Sequence, residues 1–583
     1  LEELHREYQA AAGARRAELA RRLAQALGDL GLFDPDAAGE LSAAIDALPR
    51  RLRRLRARCV TLAPHVLGRV PDGPTAALYL AEARGPVGRA IDESALRDGL
   101  AASGGELDTL VGALSGRFVV PGPGGHLSRG RTEILPTGRN PFGTDLRRLP
   151  TEAAWAVGAR MGEALLAAWA ADGGERLPDT IGLSLWSSDA FQAEGETLAQ
   201  ALWLLGCRPL RDAKGQVDRV EAIPLDDLVM TDETGRRVPR PRFDVVVQIS
   251  GVVRDTLPGL VGLIDQAVAL VAALDEPPER NRLRARVMER LAGLEADLGA
   301  GSPLAARLAR TRVFGPPEGG YGGGLGLALD ASAWEEDADL AEIVVNHAGH
   351  AYGAEGAALG SSARMVAEYA AVLARTDLWC QRQAGPAGDL LATSCGVEGA
   401  GAAAVARRGL GGGAMRLFWS DSETTAEGEV RTLRDELADS LALSLLDPGW
   451  LARAKGRGYA GGQDLSDRVN RLFGWSAATH LVSRAQFDAV HDRLIGDAAT
   501  RDWLRTQAPH AFDEILRRLA EARARGLWPA DPARSAALEA AILALDGDEE
   551  ERRGANPCDT QGGEVTVRAR SAVPVGEELH RVR

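Results

Sequence analysis

Three short polar stretches hold residue types that could do chemistry. The densest is Leu135-Pro136-Thr137-Gly138-Arg139-Asn140-Pro141-Phe142-Gly143-Thr144-Asp145. Its Gly and Pro residues force an irregular backbone, and Arg139, Asn140 and Asp145 offer donors and acceptors suited to a polyanionic ligand. A structural loop in which Arg139 pairs with Asp145 fits the same residues equally well. The second stretch is the turn Ser187-Ser188-Asp189 leading to Glu194, and the third is Ser250-Gly251 leading to Arg254 and Asp255. Carboxylates in such turns could accept protons, and a guanidinium could grip a substrate carboxylate through two parallel hydrogen bonds.

The elements that must position these turns are strands alternating with helices. Ile181-Gly182-Leu183-Ser184-Leu185-Trp186 and the β-branched run Phe243 to Ile249 read as buried strands. Leu198, Leu202 and Leu205 mark a helical face capped by Gly206, and another helix runs from Pro258 to the break at Pro277-Pro278. This alternation predicts a parallel α/β sheet, whose ligands bind beyond the carboxyl ends of the strands. If the two strands are neighbours, Asp189, Glu194, Asp255 and Arg254 face one crevice.

The expected fold class is therefore multidomain α/β, with a central parallel sheet region flanked by helical N- and C-terminal regions. Residues 1–70 read as helical, with Leu19, Leu23 and Leu27 on one stripe. Residues 71–130 are a small connecting region ending in the Gly/Pro-rich Val120 to Gly125, and residues 131–355 are the α/β core with its crevice. Residues 356–545 read as mainly helical, with Leu433, Leu437, Leu441 and Leu445 at four-residue spacing and a helix from Ala511 to Arg525. The acidic run from Asp546 opens a segment, 546–583, expected to be a solvated, disordered tail.

Composition excludes several function classes. With 583 residues, 68 Lys+Arg and 82 Asp+Glu, the net charge is −14, which opposes tracking of a phosphate backbone, and no nucleic-acid motif appears. Lys214 and Lys455 are the only lysines and both precede Gly, so there is no Walker A motif. Any nucleotide chemistry is expected from a partner. Gly182-Leu183-Ser184-Leu185-Trp186 starts like a nucleophile elbow but has Trp where the closing Gly is required. The glycine cluster Gly315 to Gly326 does not match G-x-G-x-x-G and reads as a loop that does not join a strand to a helix. His347 and His350 find no third metal ligand nearby, and the lone His65 reads as a core residue. The basic stretch Leu48 to Arg58 reads as a solvated helical face. The five scattered cysteines form no C-x-x-C pair and suggest reduced thiols. The apolar window Gly259 to Leu274 is too short for a membrane span. A cytoplasmic protein is expected.

Read together, an ordered set of stretches resembles the large subunits of aerobic cobaltochelatase (CobN) and magnesium chelatase. These are Pro136-Thr137-Gly138-Arg139-Asn140 with Asp145 and Pro150-Thr151; Leu185-Trp186 followed by Glu194-Gly195-Glu196; and Leu205-Gly206-Cys207-Arg208-Pro209. Further matches are Pro241-Arg242-Phe243-Asp244-Val245, Ser250-Gly251 with Arg254-Asp255, Phe314-Gly315 with Tyr321-Gly322, Asp447-Pro448-Gly449-Trp450 and Arg525-Gly526-Leu527-Trp528.

The resemblance implies insertion of a divalent metal into a tetrapyrrole, driven by ATP hydrolysis on separate AAA+ subunits. It implies Arg139, Asn140, Asp145, Trp186 and Arg254 as substrate-binding residues, and Glu194 and Asp255 as the groups that accept protons or guide metal; no metal ligand is assigned. The glycine loop with Tyr321, Tyr352-Gly353 and Arg525-Gly526-Leu527-Trp528 favour Co2+ and a corrinoid, with Mg2+ and protoporphyrin as the alternative. A noncatalytic tetrapyrrole-binding or scaffold protein is the rival from another class. Family subunits are about twice this length, so the chain is expected to be a C-terminal portion or one half of a split subunit, inactive alone. His350 and the segment Thr393 to Gly413 depart from the family pattern.

Overall fold

The computed structural model describes residues 1–554 apart from 34–39, 59–65, 85–89, 126, 128–130, 144, 233, 354–362, 383–388 and 423–427. His65 and the tail beyond Gly554 lie outside the described residues. Among the described residues an eight-stranded sheet forms the centre. Its strands, in chain order, are β1 (Thr180–Leu185), β2 (Asp244–Ile249), β3 (Val313–Gly315), β4 (His350–Ala351), β5 (Ala363–Arg364), β6 (Leu378–Arg382), β7 (Arg416–Asp421) and β8 (Glu429–Thr432). Their spatial order is β5-β4-β3-β2-β1-β6-β7-β8. The inner run from β3 to β7 is parallel, and β4, β5 and β8 join antiparallel at the edges.

Every residue of β1 and β2 is buried, as parallel strands covered on both faces require. Side chains alternate between two cores. Ile181, Leu183, Val245 and Val247 meet the helices Glu152–Ala171, Glu196–Leu205 and Pro258–Ala273. Val246, Phe314 and Trp379 meet Asp337–Ala348, Ala402–Gly409 and Tyr459–Thr479 on the other side. Gly182 is required by this packing, since a Cβ there would sit 1.9 Å from the Trp379 ring.

Many expected features are present. Leu19, Leu23 and Leu27 are buried, Gly206 caps its helix at φ 73°, and Leu433, Leu437, Leu441 and Leu445 all face the core. From the basic stretch, Arg51 is not merely solvated but pairs with buried Asp439 at 2.6 Å. Burial pushes the Cys207 and Cys380 thiols up to about 12, so both are inert. No described helix is long and apolar enough to cross a membrane.

Three expectations are corrected. The sheet does not end near residue 355: β6, β7 and β8 come from the segment read as mainly helical. The runs are short, and β6 and β7, buried on both faces, show no alternation against an Ala-rich background. The glycine cluster does join a strand to a helix, running from β3 into Leu325–Asp330; β3 is three residues long and leaves no periodic trace. The acidic run at 546 does not start the tail, because the helix Pro532–Gly554 continues through it.

Candidate functional site

Six helices carry or adjoin the candidate residues: α1 (Glu106–Leu114), α2 (Glu152–Ala171), α3 (Ser187–Ala193), α4 (Glu196–Leu205), α5 (Gly251–Thr256) and α6 (Leu325–Asp330); α3, α5 and α6 follow β1, β2 and β3 in the chain. β1 and β2 are paired in parallel from Thr180↔Asp244 to Leu185↔Ile249, so the two turns that follow them open on the same edge. They nevertheless build two separate groups.

The first group lines a cleft of about 890 Å3. Glu194 ends α3 with a left-handed backbone at φ 55°, and Gly195 follows at φ 92° with Pro150 only 3.0 Å from where a Cβ would be. A non-glycine residue in this conformation is strained by roughly 1–3 kcal/mol, so surrounding contacts must hold it. They do: Glu194 accepts from the Thr151 backbone at 3.1 Å, from Thr151 Oγ1 at 3.0 Å and from Arg131 at 3.3 Å. Asp145 lines the same cleft and is held below the ordinary carboxylate range by the side chain and backbone of Arg147. Asp145 therefore pairs with Arg147, not with Arg139. Arg148, also on the cleft wall, carries no hydrogen bond or ion pair from its guanidinium among the described residues. Arg211 beside it is turned to the carbonyls of Arg148, at 3.4 Å, and Pro150.

The loop bearing Arg139 and Asn140 stands next to this cleft. Its Thr137 donates from the backbone to Ser103 Oγ at 2.9 Å and from its hydroxyl to Glu106 of α1, and Gly138, at φ 78°, lies against Glu106. Asn140 is exposed and pairs through its backbone with Val120 at 3.0 Å. The Arg139 stem covers Gly122, and its guanidinium has no partner among the described residues.

Below the cleft, Glu196 is buried and accepts from Arg382 at 3.1 Å and Ser422 at 2.5 Å. Asp189 lies beside them, also buried. One of its oxygens accepts from the Thr197 backbone at 2.7 Å, and the other has no partner among the described residues. Burial pushes its pKa up, and the neighbouring Arg382 opposes that shift.

The second group follows β2. Arg254 is 2% exposed. Its Nε and Nη2 donate to Asp255 at 2.6 and 2.8 Å, and its Nη1 donates to the carbonyls of Pro316 at 3.3 Å, Gly320 at 3.1 Å and Pro317. The glycine loop is thus gripped through its carbonyls. Its amides are gripped from the opposite side: Glu398 accepts from the backbone of Gly323, of Leu325 at 3.3 Å and of Gly326 at 2.7 Å. Between the two grips Tyr321, 61% exposed, donates its hydroxyl to Asp255 at 2.9 Å. The Arg254 hydrogen bonds hold the Asp255 carboxyl below its ordinary range.

The sequence-derived set therefore divides. Glu194 and Asp145 share a cleft, with Arg139 and Asn140 on the adjoining loop, whereas Asp255 and Arg254 belong to the glycine-loop clamp. Arg254, expected as a substrate anchor, lies in the clamp, where its donors meet Asp255 and three loop carbonyls and it is 2% exposed. Trp186 caps α3, half-buried, with its ring edge on Gly399 and its indole N–H buried without a partner. His347 packs on Gly324, burial and Arg364 hold His350 below its ordinary range, and no described cluster of three or more His, Cys, Asp or Glu could hold a metal. Sequence reasoning missed Arg148, Glu196 and Glu398 as functional candidates; the run Leu146-Arg147-Arg148-Leu149-Pro150 beside the polar loop was the available signal for the first.

Comparison with known proteins converges on one family. Its sequence profile, CobN/Magnesium Chelatase, matches residues 87–535. The aerobic cobaltochelatase subunit CobN of Pseudomonas aeruginosa is 36% identical over 535 residues, covering 90% of this chain and 41% of that protein. The chloroplastic magnesium-chelatase subunit ChlH of Oryza sativa subsp. indica is 33% identical over 424 residues, covering 73% of this chain and 29% of that protein. Among solved structures, the catalytic subunit of cobaltochelatase from Mycobacterium tuberculosis superposes with a TM-score of 0.78 at 27% identity, covering 94% of this chain and 51% of that one. The chain thus spans well under half of these curated relatives and about half of the solved one.

Proposed function

The chain belongs to the CobN/magnesium chelatase family, and from that premise we propose that it is the C-terminal, tetrapyrrole-binding part of the large subunit of a cobaltochelatase. The reaction is insertion of Co2+ into a corrinoid, hydrogenobyrinic acid a,c-diamide, in cobalamin synthesis, with ATP hydrolysed by AAA+ partner subunits in the cytoplasm. The observation that carries this reading is the cleft of about 890 Å3 lined by Glu194, the exposed Phe142 and Arg148, whose guanidinium has no partner among the described residues. Its size falls within the range of small-molecule sites, roughly 300–1,000 Å3.

In this reading Arg148 and Arg139 hold the peripheral carboxylates of the macrocycle, Asn140 and Asp145 orient the loop that carries them, and Trp186 braces α3 beneath. Glu194 accepts pyrrolic protons, because its side chain is 30% exposed at the cleft. Asp255 is a poor proton acceptor, since the grip of Arg254 favours its charged form. Metal enters as substrate, stripped of water as the cleft closes.

Magnesium insertion into protoporphyrin is the second reading, favoured by the 33% identity to the plant subunit. Titrating the chain with hydrogenobyrinic acid a,c-diamide and with protoporphyrin, then adding Co2+ or Mg2+ with ATP and partner subunits, separates the two. Corrinoid binding followed by cobalt insertion is expected; tight porphyrin binding without corrinoid binding overturns the cobalt assignment.

A further inference from the structure

Helix α1 is built inside out. Its apolar residues Leu107, Leu110, Val111 and Leu114 recur at i, i+3, i+4 and i+7, which places them on one face. That face is turned to solvent, at 48%, 46%, 57% and 81% exposure, while the positions it buries are Glu106 and Gly112. Just beyond the helix in the chain, Phe118 at 85% and Val120 at 64% are exposed as well. Val66, Leu67 and Val70, about half exposed, flank it where Gly68 lies on Leu107 and Gly104 on Val70. Single exposed leucines are ordinary on a protein surface, but an unbroken apolar helix face marks a contact to be covered.

We propose that this face is an interface covered by the polypeptide that corresponds to the part of the longer relatives these 583 residues do not span. Three observations select that occupant. The solved relative covers 94% of this chain while only 51% of its own length is matched, so a chain of this fold carries about as much polypeptide again. The chain's own first helices do not cover the strip, because they pack through Leu23, Leu27, Ile45 and Leu48 around Ala438, and Arg51 ties them to Asp439. The strip is apolar, as permanently packed interfaces are, and unlike the polar contacts of partners that come and go.

The interface also bears on the cleft. Glu106, on the buried side of α1, accepts from Thr137 and from the Gly68 backbone at 2.8 Å, so the helix that presents the strip also holds the loop of Arg139. Covering one side of α1 fixes the loop on the other. The proposal rests on family membership, and neither the identity of the metal nor that of the macrocycle enters it.

Hydrogen exchange tests it on two preparations. One is the 583 residues alone; the other adds the polypeptide of the same genome that matches the unspanned part of the Pseudomonas aeruginosa relative, joined or separate. Amide exchange across residues 107–120 is expected to slow about tenfold or more in the second. The double variant Leu110→Glu/Leu114→Glu should restore fast exchange there, and should leave the thermal midpoint of the 583 residues alone unchanged because both side chains are already exposed. Leu327→Glu and Leu543→Glu, at sites 81% and 71% exposed elsewhere, should have no effect on the protection. Unchanged exchange at 107–120 in the combined preparation overturns the proposal. So does a dimer of the 583 residues that Leu114→Glu dissociates, which makes the occupant a second copy, or protection that appears only with the AAA+ subunits. Because the readout is not activity, failure of the chelatase reading leaves this result standing.

Discussion

The turns after β1 and β2 start from adjacent, paired strands at one edge of one sheet and end as opposites. After β1, the Glu194 turn opens on a cleft lined by Arg148, with Arg139 on the adjoining loop, and neither guanidinium has a partner among the described residues. After β2, Arg254 meets three backbone carbonyls and both oxygens of Asp255, and it is almost wholly buried. An arginine next to a carboxylate at the mouth of an α/β crevice looks the same in sequence in both cases. Its role is set by how many acceptors the neighbouring loop brings within reach, and the glycine loop brings three.

The largest expected effect breaks the closed side. Arg254→Ala leaves three loop carbonyls without their donor and leaves Asp255, 41% exposed, with Tyr321 alone, and each buried acceptor left unsatisfied costs roughly 1–3 kcal/mol. Urea unfolding should report a loss of that order. Arg148→Ala should change stability by less than about 0.5 kcal/mol, as exposed substitutions do, while weakening tetrapyrrole binding by roughly 1.5–3 kcal/mol, the range for a charge-assisted hydrogen bond. If the stabilities change equally, the distinction between clamp and anchor fails.

The next effect tests whether the glycine loop is one unit. Glu398→Gln keeps the shape of the side chain but turns a donor toward backbone amides that need acceptors. A loss of about 1–3 kcal/mol is expected from groups left unsatisfied, with faster amide exchange confined to residues 316–326. Because Arg254 and Glu398 grip the same loop from its carbonyl and amide sides, a double-mutant cycle should show coupling above about 0.5 kcal/mol. Simple additivity would mean the two grips act on independent segments.

How much of this was legible in the sequence depends on element length and on burial. The runs 181–186 and 243–249 were legible because doubly covered strands are near-continuously apolar, the second also β-branched, and the Gly206 cap needed only a residue tolerant of positive φ. Strand β3 was invisible at three residues, and with it the fact that the glycine loop leads from a strand into a helix. Glu398 could not be found by motif, since its partners are backbone amides more than seventy residues earlier. The spacing of Leu107, Leu110, Val111 and Leu114 is that of any amphipathic helix, and periodicity says which residues share a face but not whether that face points inward.

The smallest effect sharpens the comparison through pH. In the unfolded chain Asp189 and Asp255 titrate alike, at roughly 3.9, but the fold moves them in opposite directions. Asp189 is pushed up by burial, so the folded state holds its proton more tightly. Its contribution to stability is complete below the unfolded value and is lost as pH rises through the folded one. Asp255 is pulled down by Arg254, so its contribution is present at neutral pH and lost as pH falls through the folded value. Asp189→Asn keeps the oxygen that accepts from Thr197 and removes the ionisation. It should therefore be more stable than the parent at neutral pH, with the gain vanishing as pH drops into the ordinary carboxylate range. Asp255→Asn should be less stable at neutral pH and converge with the parent in acid. Thermal midpoints of the three proteins across that range decide it. A less stable Asp189→Asn at neutral pH would mean that Asp189 is ionised and held by Arg382, and the cleft floor would then be built like the clamp it is contrasted with.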